Sequence, residues 1–260
     1  MYVAIDKNSM LQEVSVSDIR SKTPNRLLAS LPAAELTRIM PALEHVDLRL
    51  GEILHEAGGP QKYFYFPGTC IVSLLGELNN GDSAELSLIG REGGVGLALV
   101  LGGGTTTTRA TVQSAGTALR WKAAALQREL KLCGVVLRML LRYTQSVWTQ
   151  TAQSALCNRH HSLEQQLCRW LLLSLDRVDG NQIRMTQQLI ADMLGVRREG
   201  VVLAAKKLLR RGWISYSRGV ITVLNRTAME GHVCECYQAV NVEYRRLVGG
   251  ARVSTTPVPR

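Results

Sequence analysis

The stretch Arg184–Leu224, RMTQQLIADMLGVRREGVVLAAKKLLRRGWISYSRGVITVL, limits the fold more than any other part of the chain. It holds two short amphipathic helical patterns either side of a glycine, then a strand–turn–strand pattern. Thr186 predicts an N-cap, and Leu189, Ile190, Met193 and Leu194 give the first helix one apolar face. Gly195 stands where a tight turn between helices needs a positive φ. A second helix runs from near Arg197 to about Arg211 and stops at Gly212. Trp213–Tyr216 and Val220–Leu224 flank Ser217-Arg218-Gly219 as a small β-hairpin. Together these predict a winged helix-turn-helix.

Charge narrows what such a motif could contact. The net charge is +10, which points to nucleic acid or an acidic membrane surface as partner. With 260 residues, 46% of them hydrophobic, the chain can bury a sizeable core in one or two domains. Six cysteines, at 70, 133, 157, 168, 234 and 236, lack the dense spacing of a disulfide scaffold. MYVAIDKNSM shows no signal-peptide pattern, and the longest apolar stretch, Val95–Leu101, is too short to span a bilayer. The expectation is a cytoplasmic protein with reduced thiols and no membrane partner.

Residues 1–22 are polar and weakly patterned, an expected flexible arm. Pro24–Leu43 reads as short helices broken at Pro32. Eight short runs follow, separated by Gly, Pro, Asn and Asp turn signals: Val46–Leu50, Ile53–His55, Lys62–Phe66, Cys70–Leu75, Ala84–Ile89, Val95–Val100, Thr108–Gln113 and Ala118–Trp121. Short strands at this spacing predict an antiparallel sandwich or roll over 23–121. Residues 122–160 are then strongly helical, with Gly134 marking a join between a short helix and a long one. Steps of four and three pick out Leu126, Leu130, Cys133, Leu137, Leu140, Thr144, Val147 and Thr151, a heptad-like seam. A seam of that length predicts a parallel homodimer; a helix buried inside its own domain is the plainer alternative. Ser162–Val178 predicts another helix, Ala228–Leu247 a closing one, and 249–260 a frayed tail. The fold class is therefore α+β: an N-terminal antiparallel β-roll, a long dimerisation helix, and a winged helix-turn-helix domain over 161–248.

In this order of parts the chain resembles the Crp/Fnr family of bacterial transcription regulators over about residues 24–226. The most specific likeness lies in Met185-Thr186-Gln187-Gln188-Leu189-Ile190-Ala191-Asp192 and Gly195-Val196-Arg197-Arg198-Glu199. The resemblance implies a cyclic-nucleotide-binding-like roll and base reading by an Arg-Glu pair, here Arg198 and Glu199. Elementary chemistry supports that role. Arginine donates two bonds to guanine, glutamate accepts one from cytosine, and a helix N-terminus brings its first residues nearest the bases. Val201, Ala204, Ala205 and Leu208 turn inward on the helical wheel, leaving Val202 and Leu203 outward, suited to thymine methyl groups. Thr186, Arg197, Lys206, Lys207, Arg210 and Arg218 are the candidate phosphate contacts. Where cyclic-AMP-responsive members carry a further base-reading arginine, this chain has Leu203, which implies a different operator. The implied partners are a second copy of the chain, a palindromic double-stranded operator, and RNA polymerase. A winged helix that contacts protein rather than DNA is the competing expectation.

The family's nucleotide-binding members use a Gly-Glu pair and a later Arg-Ser or Arg-Thr. Here Arg109 fits the phosphate-binding arginine, but Val95-Gly96 stands where the Gly-Glu falls and Ala110 replaces the hydroxyl. Glu92, Arg109 and Thr111 remain as a possible effector pocket without a ribose-binding carboxylate in its usual place, and the effector is unknown. The glycines at 93, 94, 96 and 102–104 precede no Gly-Lys-Ser/Thr and read as turns. Cys157 and His161 are an i,i+4 pair able to share a metal. Cys234 and Cys236, on one continuous closing helix, would point to different sides, so no metal site is expected. No cofactor fingerprint or catalytic motif stands out, so no enzyme is expected either.

Overall fold

The computed structural model describes residues 23–249. The expected arm over 1–22 and, beyond Gly249, the expected tail lie outside the described residues. Helices α1 (Arg26–Ala29) and α2 (Ala33–Ile39) come first, separated at Pro32, and a 3-10 turn, Met40–Ala42, follows. The roll then comprises β1 (Leu43–Leu48), β2 (Ile53–His55), β3 (Tyr63–Pro67), β4 (Ile71–Glu77), β5 (Ser83–Ile89), helix α3 (Leu97–Leu101), β6 (Arg109–Ser114) and β7 (Gly116–Lys122). Its strands pair antiparallel in two sheets, in the orders β1-β7-β3 and β2-β6-β4-β5. Tyr65, Val72, Val112 and Ala118 are buried in the core of the roll.

Seven of the eight runs read as strands overlap strands, and Val95–Val100 does not. Val95 makes a single bridge to Tyr65, and the chain then turns into α3. A short apolar run fits a buried strand or a buried helix equally well. Here Gly96, at φ 122°, breaks the extended path, and Gly102 at φ 86° stops the helix one turn later.

Two helices follow the roll, α4 (Ala123–Leu130) and α5 (Val135–His160), joined at Gly134 as predicted. Helix α6 (Leu163–Leu175) starts from a capping box of Ser162 and Gln165. Beyond it lie β8 (Gln182–Arg184), α7 (Gln187–Leu194), α8 (Arg198–Arg210), β9 (Ile214–Ser217) and β10 (Val220–Val223). The expected single closing helix is two, α9 (Arg226–His232) and α10 (Glu235–Val248). Val233 and Cys234 between them are extended, after Gly231 has weakened the end of α9. Among the described residues no helix is long and apolar enough to cross a membrane.

The expected heptad seam faces largely into its own chain. Leu126 and Leu140 are completely buried in their own chain, and Leu130 and Val147 pack against the same cluster. Thr151 shares a 2.9 Å hydrogen bond with Ser87 of the roll, and the Thr144 hydroxyl donates to the Leu140 carbonyl. The roll and α10, which folds back along α5, cover this side. The apolar residues left facing outward on α5 are Leu141, Leu156 and above all Trp148, which is 77% exposed.

The winged helix-turn-helix is docked on the roll of its own chain. Leu75 of β4 joins the apolar core of the helical domain, and Trp170 Nε1 donates to Glu85 Oε1 at 3.0 Å. Gly195 meets both demands at once: its φ is +65°, and a Cβ there would stand 3.2 Å from Ala84 Cβ. Gly195→Ala is expected to cost about 1–3 kcal/mol in chemical denaturation, mostly through the left-handed backbone. Adding Ala84→Gly should recover only the steric part, so full recovery would refute the backbone account.

Candidate nucleic-acid interface

The second helix of the motif presents its charged face to solvent. Thr186 caps α7 as predicted, its Oγ1 accepting from Leu189 N at 3.2 Å. Gly195 ends α7, and Arg197 begins α8 in an extended conformation with no side-chain cap bond. Val201, Ala204, Ala205 and Leu208 are buried, as the helical wheel requires. Arg198, Glu199, Leu203, Lys206 and Arg210 are exposed, with Val202 half-buried beside them. Leu203 is 62% exposed, a large apolar side chain standing among charges on a water-facing helix.

The wing lies next to this helix. Ser217 pairs with Val220, leaving the two-residue loop Arg218-Gly219 with φ +48° and +75°. Positive φ at both positions is the signature of a type I′ hairpin, and it places Arg218 at the tip. Tyr216 Oη donates to Met185 O, and Met185 N to Gly219 O, fastening the wing to the entry of α7. The third strand, β8, pairs with β10 but was not foreseen. Its three residues, Gln-Ile-Arg, are too few to show a period.

Charge separates the candidate phosphate contacts into two groups. Among the described residues Arg197, Arg198, Lys206, Arg210 and Arg218 take part in no ion pair. Lys207 is turned the other way, with Nζ 3.6 Å from Glu164 Oε2. Arg211 and His232 converge on the same carboxylate, His232 Nε2 at 3.0 Å. Lys207 is therefore a tether to α6 rather than a free cation, because one further step around the helix carries it off the outer face.

Residues 165–231 match the family model described as a Crp-like helix-turn-helix domain. The chain carries that domain on the Crp/Fnr fold. FixK2 from Bradyrhizobium japonicum is similar with a TM-score of 0.62 and 19% identity, over 74% of this chain and 98% of that one. The c-di-GMP-responsive regulator CLP of Xanthomonas campestris gives 0.60 and 16%, over 74% and 99%. TTHA1359, a CRP/FNR-family regulator from Thermus thermophilus, gives 0.58 and 19%, over 72% and 97%. No curated protein matches the sequence significantly.

The residues expected to line an effector pocket are not gathered in this Crp/Fnr roll. Arg109 Nε lies 2.6 Å from Glu56 Oε2 and its Nη1 2.6 Å from Glu77 Oε1. The hydrogen bond to Glu56 raises its pKa above the ordinary arginine value. Both carboxylates thus occupy the group that was expected to hold a phosphate. Thr111 sits within β6, opposite Ser73 of β4. Glu92 faces the other way, its Oε1 2.7 Å from Arg177 Nε just after α6. A cavity within the roll beside α3, lined by His55, Gln61 and Thr108, measures about 50 Å³. Drug-sized ligands occupy about 300–1,000 Å³. A larger one, about 790 Å³, opens between the roll, α5 and the last two helices, lined by Arg26, Glu92, Tyr143, Arg177 and Tyr244.

The cysteines also depart from expectation. Cys234 is the extended N-cap of α10 and Cys236 lies in its first turn, so the opposite-sides rule for a continuous helix does not apply to them. Both are buried next to Cys157. Cys70 and Cys168 are buried elsewhere, and burial pushes their thiols up to about 11 and about 12.

Glu92 and Arg109 should separate cleanly in a stability assay. Glu92→Ala leaves the Arg177 guanidinium, 6% exposed, without its carboxylate, an expected loss of about 3–5 kcal/mol in urea unfolding. Arg109→Ala removes two more exposed pairs and should cost about 1 kcal/mol or less. Equal losses would contradict the assigned roles.

Proposed function

We propose that this protein is a dimeric, sequence-specific DNA-binding regulator of transcription that reads a palindromic operator with α8. The observation carrying the reading is the outer face of α8. Arg198 and Glu199 stand in its exposed first turn, beside an exposed Leu203 and flanked by Lys206, Arg210 and the wing-tip Arg218. Free cations beside groups able to read base edges are what a major-groove surface requires. A water-facing helix with no partner gains nothing from keeping Leu203 outward, whereas a thymine methyl group would cover it.

Dimerisation follows from the outer stripe of α5. Leu141 and Trp148 lie seven residues apart on its solvent face. Packing α5 against the same helix of a second chain would bury both and bring two α8 helices into successive major grooves, about 34 Å apart. No effector is assigned to the roll, since the side chains expected to hold a nucleotide have other partners, Arg109 with Glu56 and Glu77 and Glu92 with Arg177.

Selection from random duplex DNA should return a two-fold palindrome; no enriched palindrome would refute sequence-specific reading. Arg198→Ala and Glu199→Ala should each relax discrimination at particular base pairs by about 1–3 kcal/mol. Lys206→Ala should instead weaken every sequence alike and lower the salt slope by about one. Trp148→Glu should shift the protein to monomer in sedimentation velocity and cost the palindrome its advantage over a half-site. A Trp148→Glu dimer as tight as the parent would place the interface elsewhere.

A further inference from the structure

We propose that Cys157, His161, Cys234 and Cys236 form a tetrahedral Zn²⁺ site joining the end of α5 to the start of α10. Each offers one donor atom, and the four donors lie within 4.8 Å of one another. Cys157 Sγ is 3.5 Å from Cys234 Sγ, and Cys236 Sγ is 3.6 Å from His161 Nδ1. Zinc–sulfur bonds of about 2.3 Å at tetrahedral angles put neighbouring ligand atoms about 3.8 Å apart. Two of the pairs already stand close to that spacing, and none of the donors is more than 4.8 Å from another.

The surroundings of the cluster are those of a metal centre. The three cysteines are buried, and the His161 side chain is 17% exposed. His161 turns Nδ1 inward and sets Nε2 3.3 Å from Glu235 Oε1. A carboxylate on the far nitrogen of a ligating imidazole fixes its tautomer and ring orientation. Gln166 Nε2 donates to the carbonyls of Cys157 and His161 at 3.4 and 2.9 Å, fixing the turn that carries both ligands. Arg169 lies close enough to interact electrostatically with Cys157 and Cys236, and its side chain is buried. Its Nη2 donates to Ser154 Oγ, while Nε and Nη1 have no hydrogen-bond partner among the described residues. Zn²⁺ with three thiolates and a neutral imidazole carries a net charge of −1, a counter-charge for this arginine, which also feels the Glu85 carboxylate but takes part in no ion pair among the described residues. On binding, three thiol protons pass to solvent and four bonds to the metal form, with no change of oxidation state.

A Cys157–Cys234 disulfide is the competing chemistry. It would need the sulfurs to close to about 2.0 Å and would leave Cys236 and His161 without a task. Placement gives the metal a clear mechanical consequence. Cys157 and His161 immediately precede α6, and Cys234 and Cys236 immediately follow α9. One ion thus fastens the entry and the exit of the winged-helix unit to each other.

The test uses full-length protein purified under reductant without chelator. Elemental analysis should find one zinc per chain, and exchange with Co²⁺ should give the intense visible absorption of tetrahedral thiolate cobalt. Cys157→Ser, Cys234→Ser, Cys236→Ser and His161→Ala should each weaken Co²⁺ binding at least about tenfold, and Glu235→Gln about tenfold through the outer contact. Cys133→Ser, at an exposed thiol outside the cluster, should bind as the parent does. Chelator competition on the unmutated protein gives the affinity without relying on the folding of any variant. Parent protein that takes up no zinc under reductant and shows no cobalt spectrum overturns the proposal. So does recovery of a Cys157–Cys234 disulfide from protein refolded with Zn²⁺ and reductant.

Discussion

The guanidinium of Arg177 is the point on which the arrangement of domains depends. Its Nε pairs with Glu92 of the roll, Nη2 donates to Gln150 Oε1 on α5, and Nη1 donates to Leu173 O near the end of α6. Three units thus meet at one buried cation. Gly90 permits the approach, because a Cβ there would stand 2.7 Å from Arg177 Cβ. A buried pair of this kind adds little net stability over an apolar contact, yet breaking it strands a charge. It therefore acts mainly to hold the roll, the long helix and the winged-helix unit in one relative orientation.

That orientation sets what the helix-turn-helix can offer. Helix α7 is braced against β5 and α8 against α6, so the inner faces of the motif are spent on packing. What remains outward is the face of α8 bearing Arg198, Glu199, Leu203 and Lys206. Glu164 sharpens the division by drawing Lys207, Arg211 and His232 onto α6. The basic run at the end of α8 is thereby divided between structural tethers and free cations, a distinction charge counting does not make.

The long helix shows the same sorting. Its apolar positions serve two faces: one meets the roll and α10, and the other carries Trp148. A heptad pattern records that a helix has an apolar stripe but not which neighbour covers it. Here the inferred seam lies largely on the covered face, so Leu140 sits in the chain's own core while Leu141, outside the seam, points away from it.

By itself the sequence determined the local structure: seven strands of the roll and the two of the wing hairpin, the join at Gly134, the cap at Thr186 and the left-handed turn at Gly195. These follow from periodicity and backbone sterics, which act over a few residues. Contacts across long separations were decided only by the tertiary structure. It engaged Arg109 with two glutamates and sent Glu92 to Arg177. It broke the last helix at Cys234, and so brought that thiol and Cys236 beside Cys157 and His161. Such partners lie some 30 to 90 residues apart, where no local period carries information about who meets whom. The outer face of α8 was legible because it is one helix; the cysteine cluster was not, because it exists only where two segments distant in sequence converge.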